Sequence, residues 1–168
     1  MRQTITLKLK PYLQEFLVCK LHDNAHIASR KNLIGAMLAP LIEYTPKDHV
    51  FERKKGPDYF TLEITQNLGL KDNRGNLYIS ETNLAHFERS LKIYFNEIFL
   101  SYVNDKVRYN NEIKKCILMF CSDYNISFNY ITYEMLKKKY YREQKNSKKQ
   151  KKLSPKLSLC CPLIFLLL

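Results

Sequence analysis

Apolar and polar residues alternate strictly near the amino terminus of the chain, from Thr4 to Lys10. Alternation with a period of two is the pattern of a β-strand that buries one face, so it predicts a first strand there. The same pattern returns at Tyr59–Ile64 and, more briefly, at Leu77–Ile79. Turn-forming residues at 72–76 separate these two segments, which predicts that they pair as an antiparallel hairpin.

Two helices are predicted between the first and second of these strands. Pro11 suits the first turn of a helix that runs to about His22, with apolar residues at three- and four-residue spacing. Ser29 can cap a second amphipathic helix, which Pro40 would bend or shorten. For residues 1–80 we therefore expect an α+β body: a small antiparallel sheet of about three strands with N-terminal helices.

The longest helical pattern follows Ser80, which can cap it, and extends through Tyr102. Its apolar stripe is wider than contact with a small sheet requires. The additional apolar surface could be buried by homodimerisation through residues 81–104 or by packing against the C-terminal helices. The sequence does not choose between these two uses.

Two further helices are predicted in the carboxyl-terminal third of the chain. The first is capped by Asn110 or Asn111 and stops near Asn125, and the second runs from about Tyr130 to Arg142. Two helices joined by a short turn form the outline of a helix-turn-helix, whose second helix enters the major groove of DNA. This connection is longer than the tightest such turn, and an αα-hairpin with no nucleic-acid role has the same outline.

Positive charge is concentrated where the second of these helices is predicted. The chain has 28 Lys and Arg against 16 Asp and Glu, a formal net charge of +12, and residues 137–156 alone carry +9. A polyanion is the natural partner. Nucleic acid is favoured because neutralising its phosphates releases condensed counterions and needs no pocket. The alternative is a solvated basic tail that aids solubility.

The outward face of this helix is the candidate site, and we predict that it contacts duplex DNA. It combines cations that suit phosphates with groups that can hydrogen-bond base edges. These residues are Tyr133, Lys137, Lys138, Tyr141, Arg142 and Lys145. The predicted domain organisation is completed by a helical region at 81–145 and by a basic linker and apolar tail at 146–168.

Two short stretches and the basic helix carry a resemblance to a known family. Residues 75–80, Gly-Asn-Leu-Tyr-Ile-Ser, precede a helix, and residues 123–129 lead into a lysine-rich helix with Tyr-Tyr-Arg at 140–142. Over about residues 75–145 this arrangement resembles the Mor-type transcription activators of Mu-like phages. The resemblance implies a dimeric helix-turn-helix activator of transcription. The DNA-facing residues that it implies are Lys137, Lys138, Tyr141 and Arg142.

An apolar tail at 157–168 follows a Ser-Lys linker that we expect to be flexible from about 144 to 156. The tail is shorter than the roughly 20 residues that span a bilayer. Cations followed by apolar residues suit attachment to an anionic membrane surface, with Cys160 and Cys161 as candidate acylation sites. The tail could instead dock as a strand or plug on its own body or on a partner. A membrane-surface or scaffold protein is therefore the alternative function.

Enzymatic chemistry is not indicated. The sequence has no phosphate-binding loop, nucleophile elbow or zinc-protease motif, its five cysteines form no CxxC pair, and His22 and His26 lack partners for a metal site. We expect free thiols and neither a metal nor a cofactor. Met1–Lys10 lacks the continuous apolar stretch of a signal peptide, so we expect a cytoplasmic transcriptional regulator or mobile-element accessory factor. The target sequence, and the choice of DNA over RNA, are not set by these patterns.

Overall fold

The computed structural model describes residues 3–21, 27–28, 32–45, 59–64, 76–109 and 111–153. In chain order these form β1 (Gln3–Lys8), α1 (Pro11–Leu21), β2 (Ile27–Ala28), α2 (Leu33–Leu38), a 3₁₀ turn (Ala39–Leu41), β3 (Glu43–Thr45), β4 (Tyr59–Ile64), β5 (Asn76–Tyr78), α3 (Glu81–Arg108), α4 (Ile113–Asp123) and α5 (Tyr133–Leu153). The predicted α+β class is confirmed, as is the long helix followed by two C-terminal helices. The chain divides between Ile131 and Thr132 into two compact units, and α5 belongs to the second.

The sheets join strands that are far apart in sequence. β1 pairs antiparallel with β4, from Gln3 opposite Ile64 to Lys8 opposite Tyr59, and the two-residue β2 lies parallel to β4 on its other edge. β3 and β5 form a separate antiparallel pair. The predicted hairpin is therefore wrong. Both of its segments are strands, but β4 pairs with β1, β5 pairs with β3, and two small sheets replace the single expected sheet.

Burial of apolar side chains explains the pairing of β1 with β4. Ile5 lies opposite Leu62 and Leu7 lies opposite Phe60, and all four side chains are buried. A shift of one residue would turn these side chains toward the opposite face, so the alternation fixes the register. β5 has three residues and could bury only a short apolar face against β4, which makes a local hairpin the weaker pairing.

The N-terminal helices follow the predicted pattern with one change. α1 ends within one residue of its predicted boundary. α2 is capped by Asn32, whose side-chain Oδ1 accepts a hydrogen bond from the backbone N–H of Gly35 at 2.7 Å. Ser29, the predicted cap, lies outside the described residues. Pro40 lies in the 3₁₀ turn that ends α2, as expected for a residue with no backbone N–H to donate.

The side-chain carboxylate of Glu43 on β3 forms hydrogen bonds with residues at the end of β5 and at the start of α3. Glu43 accepts hydrogen bonds from the hydroxyls of Tyr78 at 2.5 Å and Ser80 at 2.7 Å. The side-chain amide of Asn83, in the first turn of α3, donates to the same carboxylate at 2.7 Å. Ser80 occupies the N-cap position of α3, but its side chain makes no capping bond to that helix because its hydroxyl is used by Glu43.

Helices α3 and α4 pack through aromatic side chains, with the fully buried Phe120 of α4 at the centre. The centroid of its ring lies 4.6 to 5.8 Å from those of four other rings. The four are Phe95, Phe99, Tyr102 and Tyr124. α4 therefore covers much of the wide apolar stripe of α3, which is one of the two uses that the pattern left open. Ile93 on α3 stays 52 % exposed.

Candidate nucleic-acid interface

The carboxyl end of α4 is a Schellman motif. Asn125 follows the C-cap Tyr124 with a positive φ of 50°. Its N–H donates to the carbonyl of Ser122 at 3.2 Å, and the N–H of Ile126 donates to the carbonyl of Cys121 at 2.8 Å. Asparagine is the non-glycine residue that enters the left-handed region most readily. The predicted end of this helix near Asn125 is thus confirmed.

The amino end of α4 differs from the prediction. Glu112 is the N-cap residue and its side chain makes no capping bond. The side-chain amide of Asn111 donates instead to the carbonyl of Lys106 at 2.9 Å. The last carbonyls of a helix lack i+4 donors within it, and this bond gives the carbonyl of Lys106 a second donor beside the backbone N–H of Tyr109. The capping role expected of Asn111 is therefore wrong, and Asn110 lies outside the described residues.

α5 begins at Tyr133 because Thr132 caps it. The hydroxyl of Thr132 accepts a hydrogen bond from the N–H of Met135 at 3.3 Å. The helix continues to Leu153, so the flexible linker expected from about residue 144 is wrong up to that point. Residues 143–153 contain neither glycine nor proline and are mostly good helix formers, which explains the extension. The apolar tail lies outside the described residues.

The side chains of α5 divide into a buried face and an exposed face. Leu136 and Tyr140 are buried. Among the side chains that the structure describes, the opposite side presents four exposed cations at spacings of four, three and four residues: Lys138, Arg142, Lys145 and Lys149. At 3.6 residues per turn this spacing lines them up along the helix over about 16 Å. We name these four residues the cationic stripe.

The cationic stripe lies on a helix with a large excess of positive charge. The 21 residues of α5 include nine Lys or Arg and two Glu, a net charge of +7. Among the described residues, no acidic side chain lies within 4.0 Å of a stripe cation. The potentials of these neighbouring positive charges add, so the stripe attracts anions.

Three of the six predicted site residues belong to the stripe, namely Lys138, Arg142 and Lys145. Tyr141 is exposed beside it, with its ring centroid 5.6 Å from that of the buried Tyr140. These four residues, together with Glu134 and Lys137, line an open, shallow depression on the surface of α5.

The other two predicted residues lie closer to the buried face of α5. Tyr133 and Lys137 are both half-buried. The Lys137 ammonium lies 3.8 Å from the Glu134 carboxylate and 5.6 Å from the centroid of the Tyr133 ring. Lys149 was missed by the sequence prediction. Its position four residues after Lys145 identifies it once the helix is known to continue.

The described residues contain no group of three or more His, Cys, Asp or Glu side chains that could hold a metal ion. Cys19, Cys116 and Cys121 are free thiols, and burial, followed by the nearby Glu15 carboxylate, raises the pKa of Cys121 to about 11. No helix in this part of the chain is both long and apolar enough to cross a membrane. Outside the described residues lie His22, His26, Cys160 and Cys161.

The sequence of this chain matches no protein-family model, and no curated protein and no solved structure matches it. The cationic stripe of α5 is therefore the main observation from which a function can be inferred.

Proposed function

We propose that this protein binds duplex DNA through the exposed face of α5. The cationic stripe is the observation that carries the proposal. DNA is a polyanion with condensed counterions, and each phosphate that a lysine or arginine neutralises releases counterions and favours binding. An α-helix fits the width of the major groove, and α5 is about 32 Å long at 1.5 Å per residue.

Helices α4 and α5 follow one another in the chain, as the two helices of a helix-turn-helix do, and we infer that α5 is the helix that contacts DNA. Their connection, residues 124–132, is longer than the three or four residues usual in that motif. A role in transcription, or as an accessory factor of a mobile element, is supported by the resemblance to Mor-type activators. The same resemblance implies that the protein acts as a homodimer.

Fluorescence anisotropy with a labelled duplex of about 20 base pairs tests the proposal, with salt varied from about 50 to about 200 mM. Affinity should fall by roughly 0.9 log units per tenfold increase in salt for each phosphate neutralised. A triple variant, Lys138→Ala, Arg142→Ala and Lys145→Ala, should lose most of the binding while its circular dichroism spectrum is unchanged. Affinity that does not depend on salt, or no binding at the lowest salt, contradicts the proposal.

A control with the same loss of charge separates the stripe from net charge. Lys8, Arg89 and Lys92 are exposed cations on β1 and α3. Their triple replacement by alanine also removes three positive charges, and it should leave most of the DNA affinity in place. If the two triple variants lost DNA affinity equally, the binding would depend on the overall charge of the protein and not on the stripe.

Attachment to a membrane surface is the alternative, and it needs the apolar tail together with the basic run. Removal of residues 154–168 leaves α5 complete. If DNA binding is the function, the truncated protein keeps its affinity for the duplex. Loss of flotation with anionic vesicles in the truncated protein, with no DNA binding by the full chain, would favour the membrane function instead.

A further inference from the structure

The spacing of charges along the cationic stripe suits one strand of a DNA duplex. Four cations lie along about 16 Å of α5. One strand of B-DNA presents a phosphate about every 3.4 Å of helix axis, or about five phosphates over that length. The linear charge density of the stripe is therefore close to that of one strand, with the opposite sign.

The chemistry of the stripe suits phosphates better than base edges. Three of its four members are lysines, and an ammonium group is a compact point charge that donates hydrogen bonds in any direction. Base edges are best discriminated by paired donors and acceptors from Arg, Asn or Gln. Arg142 is the one stripe residue with a planar fork of donors.

The first turn of α5 presents little that could read base sequence. Recognition helices contact base edges mainly with their amino-terminal residues. In α5 the exposed residues there are Glu134, a carboxylate that phosphates repel and that could accept a hydrogen bond only from a base amino group such as that of cytosine, and Met135, an apolar side chain that is 58 % exposed. The cations begin one turn later and continue toward the carboxyl end of the helix.

We infer that the cationic stripe binds the phosphates of a duplex without reading its base sequence. Lys149 binds a phosphate in the same way as the other three stripe residues. Lys137 does not, because its side chain is half-buried and its ammonium already lies near the Glu134 carboxylate and the Tyr133 ring. The inference rests on the proposed function and specifies the class of DNA that the site accepts.

Two single variants of the full-length protein test the assignment of residues. Lys149→Ala and Lys137→Ala each remove one positive charge from the same helix. A lysine that contacts a phosphate contributes about one unit to the slope of log affinity against log salt. Lys149→Ala should reduce that slope by about 0.9, Lys149→Arg should restore it, and Lys137→Ala should leave it unchanged.

Two duplexes of equal length test the absence of base reading: one selected from a pool of random sequence by repeated binding to the wild-type protein, and one drawn from the unselected pool. Their affinities for the wild-type protein should differ by less than about tenfold, because specific binding typically exceeds non-specific binding by at least about a thousandfold. A larger preference, or equal changes of slope in Lys137→Ala and Lys149→Ala, overturns the inference and leaves the proposed function standing. Failure of the wild-type protein to bind either duplex overturns the proposed function itself.

Discussion

The backbone N–H of Ser127 donates a hydrogen bond of 2.8 Å to the side-chain carboxylate of Glu15, 112 residues earlier in the chain. Ser127 lies in the connection after α4, where the backbone has no helix or strand to supply its hydrogen-bond partner. Glu15 lies on α1. The path of the chain after α4 is thus fixed by a helix near the amino terminus.

Replacing Glu15 with alanine should lower the free energy of unfolding by about 1.5–3 kcal/mol, the usual contribution of a hydrogen bond to a charged group. Urea denaturation measures the change. Glu97 on α3 is exposed, and Glu97→Ala should stay within about 0.5 kcal/mol of wild type. The free energy of unfolding of Glu15→Gln should lie between those of Glu15→Ala and Glu97→Ala, since the glutamine amide oxygen can still accept the hydrogen bond. Equal stability of Glu15→Ala and Glu97→Ala would show that the bond contributes nothing.

Phe120 of α4 is buried at the centre of the contact between α3 and α4. Phe120→Ala should destabilise the protein by about 3–5 kcal/mol, because it removes buried apolar surface and leaves a cavity among four aromatic rings. Leu118 lies on the same helix and is 41 % exposed, so Leu118→Ala should cost about 0.5 kcal/mol. Thermal and urea unfolding both report the difference. Similar costs for the two variants would contradict the packing described.

The hydrogen bonds to Glu43 predict a dependence of stability on pH. The Tyr78 hydroxyl, followed by that of Ser80, holds the pKa of Glu43 below its ordinary value of 4.5. Because the folded pKa is the lower one, the stabilisation is complete above the unfolded pKa and is lost as the pH falls through the folded pKa.

Glu43→Gln should therefore be less stable than wild type at neutral pH, and the difference should shrink as the pH falls below about 4.5. Urea midpoints measured between about pH 7 and pH 3 test this expectation. Glu97→Gln provides the reference for an exposed carboxylate. A difference between Glu43→Gln and wild type that is constant over this range would rule out the linkage.

The positive φ of Asn125 makes the end of α4 sensitive to substitution. Asn125→Ala should lower the free energy of unfolding by about 1 kcal/mol, because a Cβ without a polar side chain is disfavoured in the left-handed region. Asn125→Gly should be at least as stable as wild type. Asn129, exposed in the same connection, is the control position, and its alanine variant should be neutral. Thermal unfolding that ranks Asn129→Ala below Asn125→Ala would contradict this account.

The candidate site was predicted in part because helical periodicity is local. Residues 137–139 are consecutive lysines that point about 100° apart, so the sequence alone cannot tell which of them faces outward. The burial of Leu136 and Tyr140 decides this, placing Lys138 on the exposed side and Lys137 nearer the buried one. Lys149 was missed because the continuation of α5 was not expected.

By itself, the sequence determined the presence of α1 to α5 and of β1, β4 and β5, the end of α4 and the concentration of charge in α5. These features depend on neighbours within a few residues, where spacing and composition settle the local free energy. Only the tertiary structure decided that β4 pairs with β1, that α4 covers α3, and which cations form one stripe. Those outcomes depend on competition between distant surfaces for burial, and a local pattern does not encode the result of that competition.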